Sequence, residues 1–202
     1  MTNQNRKQMI KTIAVLGVLI ALTVLMALTP VGYLKVGAVS ISFLMIPVAI
    51  GAIAKGPWAG ALLGLVFGIT SFAQCFGGDP FGTYLANINV VFTFIMCVVC
   101  RVLAGFLTGV IYKLLKKAPI IVKCSVTGLC AALLNTVLFV GALILLFGKA
   151  TVSSATGIDP TLGVIALFAT IVGINAVFEA IAAFILTGGI GTALIKAKLV
   201  VA

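Results

Sequence analysis

The sequence predicts an all-α membrane protein, a compact bundle of six transmembrane helices. Of its 202 residues, 63% are hydrophobic and only 8% are charged. The mean hydropathy of +1.37 lies far above that of a water-soluble domain of this size. A helix needs about 20 mostly apolar residues to cross a hydrocarbon core about 30 Å thick, and at that length the chain holds about six.

The predicted spans follow one another with short connections. They cover residues 11–29, 39–54, 57–75, 89–115, 119–148 and 160–195. The second is short and carries Pro47, which predicts a kink, and the last two are long enough to tilt or to extend beyond the bilayer. The connections carry Gly, Pro and Asp, and none is long enough for a soluble domain. We therefore expect residues 1–202 to form one six-helix domain.

Positive charges predict the orientation of these spans. If the N-terminus is cytoplasmic, ten of the 13 Lys and Arg residues lie on the cytoplasmic side, and only Lys35 and Lys149 lie outside. This asymmetry is typical of the positive-inside rule and places both termini in the cytoplasm of a multi-pass protein of the cell membrane. The formal net charge of +10 then reports topology and does not indicate nucleic-acid binding.

The scarcity of ionisable groups excludes several classes of function. The chain has no His and only three acidic residues, so a His-ligated metal, a Ser-His-Asp triad and a His-based proton relay are ruled out. No phosphate-binding loop is present for ATP hydrolysis. The pair Cys97-x-x-Cys100 lacks further ligands and is typical of ordinary buried cysteine. We expect neither an enzyme nor a protein that holds a metal or a cofactor.

Small residues recur at the spacing that lets helices approach closely in a membrane. The stripes are Gly17-x-x-x-Ala21 in the first span, Gly60-x-x-x-Gly64-x-x-x-Gly68 in the third and Gly105-x-x-x-Gly109 in the fourth. The last two stripes predict packing within the bundle. For the first span, packing within the bundle and docking of an external partner helix are equally open.

Four polar residues fall inside the predicted spans. They are Arg101, Asn135, Asn175 and Glu179. A central Arg costs on the order of 3 kcal/mol in hydrocarbon, so these side chains should face the bundle interior. Arg101, Asn135 and Asn175 lie roughly 18 to 22 Å below the outer ends of their spans, which predicts the floor of an outward-facing pocket. The alternative is a buried ion pair between Arg101 and Glu179 that only locks helices together.

Aromatic side chains could form the wall of such a pocket. The candidates are Phe92, Phe94 and Phe139 in the spans, and Tyr33, Phe76, Phe81 and Tyr84 near the outer surface. Taken singly, each of these side chains is more typical of the core or of the aromatic belt at the membrane interface than of a ligand contact.

The order and spacing of several motifs resemble one family over nearly the whole chain. These motifs are Gly17-x-x-x-Ala21, the stretches 40–47 and 55–64, Gly78-Asp79-Pro80-Phe81-Gly82, Arg101-Val102-Leu103-Ala104-Gly105, Asn135-Thr136 and Asn175-x-x-x-Glu179. Together they are similar to the substrate-binding S components of energy-coupling factor (ECF) vitamin transporters, in the branch that includes pantothenate and riboflavin S components. The usual motif in the first span of that family is Ala-x-x-x-Ala, so Gly17 is a departure.

The resemblance implies a subunit that captures a vitamin from outside with high affinity. The pocket would lie between the last three spans under the outer loops, with contacts from Arg101, Asn135, Asn175, Glu179, Phe94, Tyr84, Phe81 and Tyr33. The resemblance further implies that Gly17 and Ala21 dock onto a membrane scaffold subunit (EcfT) that is bound to two cytoplasmic ATPase subunits.

Pantothenate is the favoured cargo. It carries one carboxylate, which Arg101 could bind through two parallel hydrogen bonds, and its hydroxyl and amide groups suit Asn135 and Asn175. Riboflavin is uncharged and needs a wide aromatic slot, whereas aromatic residues are only 8% of the chain. Riboflavin or another small vitamin, and a stand-alone secondary carrier, are the alternatives.

Overall fold

The computed structural model describes residues 3–29, 32–36, 39–157 and 164–197, and within these ranges it is a helical bundle with one short hairpin. The helices are α1 (Asn3–Leu28), α2 (Met45–Lys55), α3 (Pro57–Gln74), α4 (Pro80–Ile88), α5 (Val90–Phe94), α6 (Cys100–Leu114), α7 (Ile120–Thr156) and α8 (Val164–Lys196). Strands β1 (Tyr33–Val36) and β2 (Val39–Ser42) pair antiparallel between α1 and α2. A π-helix (Ile95–Val99) joins α5 to α6.

Within the described ranges, five helical segments are long and apolar enough to cross a membrane. They are Met9–Leu28, Pro57–Gln74, Val90–Leu114, Ile120–Ser154 and Ala176–Lys196. The prediction of a helical membrane protein is therefore confirmed. A further apolar helix, Met45–Lys55, has 11 residues, or about 16 Å of length, which is about half of the hydrocarbon core. The predicted count of six spans and the cytoplasmic location of both termini stay predictions.

The second predicted span is wrong at its start, because residues 39–42 form strand β2. Tyr33 pairs with Ser42, and Val36 pairs with Val39. Val-Ser-Ile-Ser alternates apolar with polar residues and holds two β-branched apolar side chains, which is the pattern of a strand. The mean hydropathy of the segment is the same whether it forms a strand or the start of a helix. Hydropathy alone therefore predicts that these residues belong to the helix that follows.

The helix that follows is the centre of the bundle. Every residue of α2 from Met45 to Ala54 is buried, and α2 packs against α1, α3, α6, α7 and α8. The kink predicted at Pro47 is wrong, because α2 begins at Met45 and Pro47 lies in its first turn. The N–H groups of a first turn have no partner within their helix, so proline removes no hydrogen bond there.

A short helix, α4, occupies the predicted outer loop between the third and fourth spans. Its start follows from the sequence Asp79-Pro80: the Asp79 carboxylate accepts the Gly82 N–H at 2.8 Å, and proline suits the first helical position. Asn89 then ends α4 and caps α5, where its side-chain oxygen accepts the N–H groups of Val91 and Phe92 at 3.0 and 3.1 Å. The predicted start of the fourth span at residue 89 is confirmed by this cap.

Two glycines interrupt the long C-terminal helices. Gly148 (φ 75°, ψ 161°) breaks α7 where the fifth span was predicted to end. Gly173 (φ 40°, ψ −148°) breaks α8 within the predicted sixth span. A positive φ is unfavourable for residues with a Cβ, so glycine suits both breaks.

The glycine stripe of α3 packs directly on α6. A Cβ added at Gly60 would collide with the backbone oxygen of Gly105, and one added at Gly64 would collide with the backbone oxygen of Arg101. A Cβ at Gly68 would lie 2.8 Å from the Val98 Cα in the π-helix. The predicted packing of these stripes inside the bundle is confirmed, and it fixes the backbone that carries Arg101 against α3.

Candidate functional site

Arg101 is the buried cation of the bundle. Its side chain is 6% exposed, and it stands in the first turn of α6, directly after the π-helix. A buried guanidinium needs partners for its charge and for its five N–H groups. The surroundings of Arg101 therefore define the candidate site.

The π-helix supplies hydrogen-bond acceptors to this cation. Cys100 donates its backbone N–H to the Ile95 oxygen, five residues back. Arg101 Nη1 donates to the Cys97 oxygen at 2.9 Å and to the Met96 oxygen at 3.5 Å. These carbonyl groups belong to the widened turn, and π-helical turns of this kind are frequent at functional sites.

Two aromatic rings contact the guanidinium group from neighbouring helices. The Arg101 Cζ lies 4.4 Å from the centroid of the Phe67 ring on α3 and 5.1 Å from that of the Phe139 ring on α7. Cation–π contacts of this kind stabilise a desolvated cation without neutralising it. Arg101 Nε is buried and has no hydrogen-bond partner among the residues that the structure describes. Within this part of the chain, the cation therefore keeps at least one unused donor.

Glu179 does not neutralise Arg101 in this structure. Its Oε1 accepts the backbone N–H of Ser42 at 2.5 Å, which joins α8 to the end of β2. Among the residues that the structure describes, no carboxylate oxygen lies within 4.0 Å of an Arg or Lys nitrogen. The ion pair considered as an alternative from the sequence is not formed.

Asn135 lies one turn from Phe139 on the same face of α7. It is 8% exposed, and its side-chain oxygen is buried without a hydrogen-bond partner in the described part of the chain. The same holds for the Ser42 hydroxyl, which has no partner among the described residues. Unpaired buried polar atoms cost free energy, and a polar ligand that bonded to them would remove that cost.

Among the described residues, the rings recorded in contact with the guanidinium group are Phe67 and Phe139, while three of the predicted aromatic contacts are described by other features. Phe94 is 43% exposed and packs edge-on against Phe72 at 5.3 Å between ring centroids. A spacing of seven residues would put Phe94 and Arg101 on nearly the same face of a regular α-helix, but the intervening π-helix changes that rotation. Tyr84 is 42% exposed on α4, and Phe81 packs against an apolar cluster that includes Leu85.

For two of the predicted contacts, the structure describes the backbone but not the side chain. The backbones of Tyr33 and Asn175 belong to β1 and α8, but their side chains are not among those described. Phe67, in contrast, was missed from the sequence. Its position between Gly64 and Gly68 was an available signal, because that stripe packs on the backbone at Arg101.

The stripe of small residues predicted to dock a partner helix, Gly17-x-x-x-Ala21, faces open space. A Cβ added at Gly17 would meet no atom within 4 Å, and Ala21 is exposed. The same helix also exposes Val18 and Leu25, at 68% and 61%. The face of α1 that carries Gly17 and Ala21 is therefore not used for packing within the described bundle.

Comparison with known proteins identifies the family. Residues 11–191 match the family model described as "ECF transporter, substrate-specific component". A relative, the pantothenic acid transporter PanT of Lactococcus lactis subsp. cremoris (strain MG1363), is 28% identical over 215 aligned positions that cover 96% of this chain and 98% of PanT. The chain therefore belongs to the family of ECF transporter substrate-specific components, as a multi-pass membrane subunit that selects the transported substrate.

Proposed function

We propose that this subunit binds pantothenate as its transported vitamin. The observation that carries the proposal is the charge on Arg101, which is 6% exposed, has no carboxylate partner among the described residues and keeps an unbonded Nε. A ligand with one carboxylate would complete this site by a charge-assisted hydrogen bond. The relative PanT, named as a pantothenic acid transporter, supports the same choice.

The neighbouring side chains suit the rest of such a ligand. Phe67 and Phe139 hold the guanidinium group between α3 and α7, and Phe139, which is half-buried, would offer a ligand an apolar surface beside the charge. Asn135 supplies an amide for the hydroxyl or amide groups of pantothenate. Riboflavin carries no anionic group and would leave the charge of Arg101 without a counter-ion, so we rank it second. Glu179 would act by holding Ser42 and the hairpin beside the ligand, and Asn175, Phe94, Tyr84, Phe81 and Tyr33 complete the proposed set of contacts.

We infer that the transporter is completed by other subunits. The face of α1 at Gly17 and Ala21 is open, and small residues on a lipid-exposed helix favour close approach of another helix. This face would dock on the membrane scaffold subunit (EcfT), and two cytoplasmic ATPase subunits would supply ATP hydrolysis. The energy for transport would then be supplied by subunits other than this chain.

We further infer one domain with six spans and both termini in the cytoplasm. The sixth span would be α2, which can be shorter than the bilayer because it is buried by protein on all sides. The asymmetric distribution of Lys and Arg supports this orientation.

The proposal is tested by measuring binding to the purified chain in detergent by titration calorimetry. Pantothenate should bind, and pantothenol, in which an alcohol replaces the carboxylate, should bind at least about tenfold more weakly, because one charge-assisted hydrogen bond is lost. Riboflavin should not bind. Equal affinities for pantothenate and pantothenol, or tight binding of riboflavin, would refute pantothenate as the cargo. Mass spectrometry of small molecules that co-purify with the protein provides an independent identification.

A vesicle experiment separates a subunit from a complete carrier. Vesicles that hold only this chain should bind labelled pantothenate but show no sustained uptake. Uptake by the chain alone would indicate a stand-alone secondary carrier.

A further inference from the structure

A cavity of about 570 Å³ lies at the end of α6 that is distant from Arg101. Tyr112, which lines it, is 11 residues beyond Arg101, or about 16 Å along a helix. The cavity is enclosed by the C-terminal end of α2, the turn between α6 and α7, and the first turns of α7. It is therefore separate from the proposed vitamin site.

Four lysines from different segments line this cavity. They are Lys55, Lys113, Lys116 and Lys123. None is neutralised by a described carboxylate: Asp79 caps α4, and Glu179 bonds to Ser42. Four uncompensated positive charges around one cavity attract an anion, and the attraction is strongest where water is partly excluded.

Tyr112 forms part of the cavity wall. The side chain is 5% exposed, and its hydroxyl is buried and makes no hydrogen bond to a described residue. The Lys123 Nζ lies 3.8 Å from the centroid of the Tyr112 ring, which holds that ammonium group at the cavity wall. The ring therefore positions one of the four charges, while the hydroxyl is too deeply buried to contact a bound anion.

Exposed apolar side chains stand next to the lysines. Leu114 is 77% exposed at the end of α6, and Ile120, Ile121 and Val122 are 41%, 57% and 46% exposed at the start of α7. A small soluble anion would use only the charged part of this surface. A ligand that is anionic at one end and apolar at the other would use both parts.

We propose that this cavity binds the phosphate group of an anionic phospholipid from the membrane leaflet at this end of the bundle. The lysines would contact the phosphate, and the acyl chains would lie along Leu114 and the first turn of α7. Basic pockets between transmembrane helices are suited to such headgroups. The proposal does not depend on which vitamin the subunit carries.

Native mass spectrometry of the detergent-purified chain tests this site with phosphatidylglycerol and phosphatidylcholine as probes. We expect wild type to retain phosphatidylglycerol in preference to phosphatidylcholine. The double variant Lys113→Gln/Lys116→Gln should bind phosphatidylglycerol about tenfold more weakly, because two charges near the headgroup are removed. The matched control Lys11→Gln/Lys196→Gln removes two exposed lysines outside the cavity and should change binding less than about twofold. Equal losses in both variants, or no loss in either, would overturn the proposal.

Tyr112→Leu tests the ring that holds Lys123 at the cavity wall. Loss of the cation–π contact should weaken phosphatidylglycerol binding by about twofold to fivefold, whereas Tyr112→Phe keeps the ring and should bind the lipid as wild type does. A thermal unfolding midpoint equal to that of wild type shows that the fold is intact, and undiminished lipid binding in folded Tyr112→Leu would overturn the assigned role of the ring.

Two further probes distinguish the lipid from other anions. Inorganic phosphate should not displace phosphatidylglycerol at equal concentration, since it lacks acyl chains. Displacement by phosphate would assign the cavity to a soluble phosphate compound. Binding of a polyglutamate peptide without retention of phosphatidylglycerol would assign it to an acidic protein partner. Either result would overturn the lipid assignment, whatever the outcome for pantothenate.

Discussion

Glu179 accepts the backbone N–H of Ser42 at 2.5 Å, and this bond ties α8 to the hairpin that follows α1. The two residues are 137 positions apart in the chain. The only described acidic side chain inside a candidate span is therefore used to hold a strand in place. The positive charge of Arg101, on α6, is left for a ligand.

Arg101 should determine affinity through its charge and through its planar donor group. Arg101→Ala should weaken pantothenate binding by more than about tenfold, and Arg101→Lys should recover only part of the loss, because an ammonium group cannot form two parallel hydrogen bonds to a carboxylate. Calorimetry measures both. Arg6→Ala removes an exposed charge and is the control. Unchanged affinity in folded Arg101→Ala would return Arg101 to a structural role.

Glu179 should act through its hydrogen bond and not through its charge on the ligand. Glu179→Gln keeps an oxygen that can accept the Ser42 N–H, so pantothenate affinity should stay within about threefold of wild type. Glu179→Leu removes the acceptor and should lower the thermal unfolding midpoint. A change in affinity above tenfold in the Gln variant would show that the negative charge of Glu179 matters directly to the cargo.

Gly64 should be intolerant of a methyl group. A Cβ there collides with the backbone oxygen of Arg101, so Gly64→Ala must push α3 away from α6 at a cost of about 1 to 3 kcal/mol. Lower thermal stability and weaker pantothenate binding should appear together. Gly189→Ala is the matched control, since a Cβ at Gly189 meets no atom within 4 Å. Equal behaviour of the two variants would contradict the close packing of α3 on α6.

The open face of α1 should be needed for transport but not for binding. Gly17→Leu or Ala21→Leu would hold a partner helix away. Pantothenate uptake in cells should then be abolished, while calorimetry on the purified variant shows wild-type affinity. Gly141→Leu, at another position with no atom within 4 Å of the added Cβ, should retain uptake. Normal uptake in the Gly17 and Ala21 variants would place the docking face elsewhere.

Much of the helical layout could be predicted from the lengths of the apolar segments. The main error of that prediction was at β2. A stretch such as Val39 to Ser42 is apolar enough to extend a predicted helix, although its alternation has the period of a strand. The pairing of β2 with β1 depends on two segments that meet in space. Hydropathy averaged along one segment does not contain that information. The short helix after Asp79 was missed for a different reason, because a breaker-rich segment can also be a helix N-cap.

The sequence predicted the buried charge of the candidate site but not the groups that surround it. A lone Arg inside an apolar helix is visible in the sequence, and so is the glycine stripe of α3. The π-helix before Arg101 has no comparable signal in the sequence. It supplies the carbonyl oxygens that bond to the guanidinium group. Phe67 was missed because its contact with Arg101 exists only after α3 and α6 have packed.

The acceptors of Arg101 belong to the π-helix directly before α6, since the oxygens of Met96 and Cys97 are five and four residues away. The guanidinium group is therefore oriented by local backbone, and its orientation does not require a ligand to be present. The conformational entropy of a long side chain is lost when the protein folds and not again at each capture event. A receptor that is ordered in this way before it meets its ligand is well suited to retrieving a scarce nutrient from dilute surroundings.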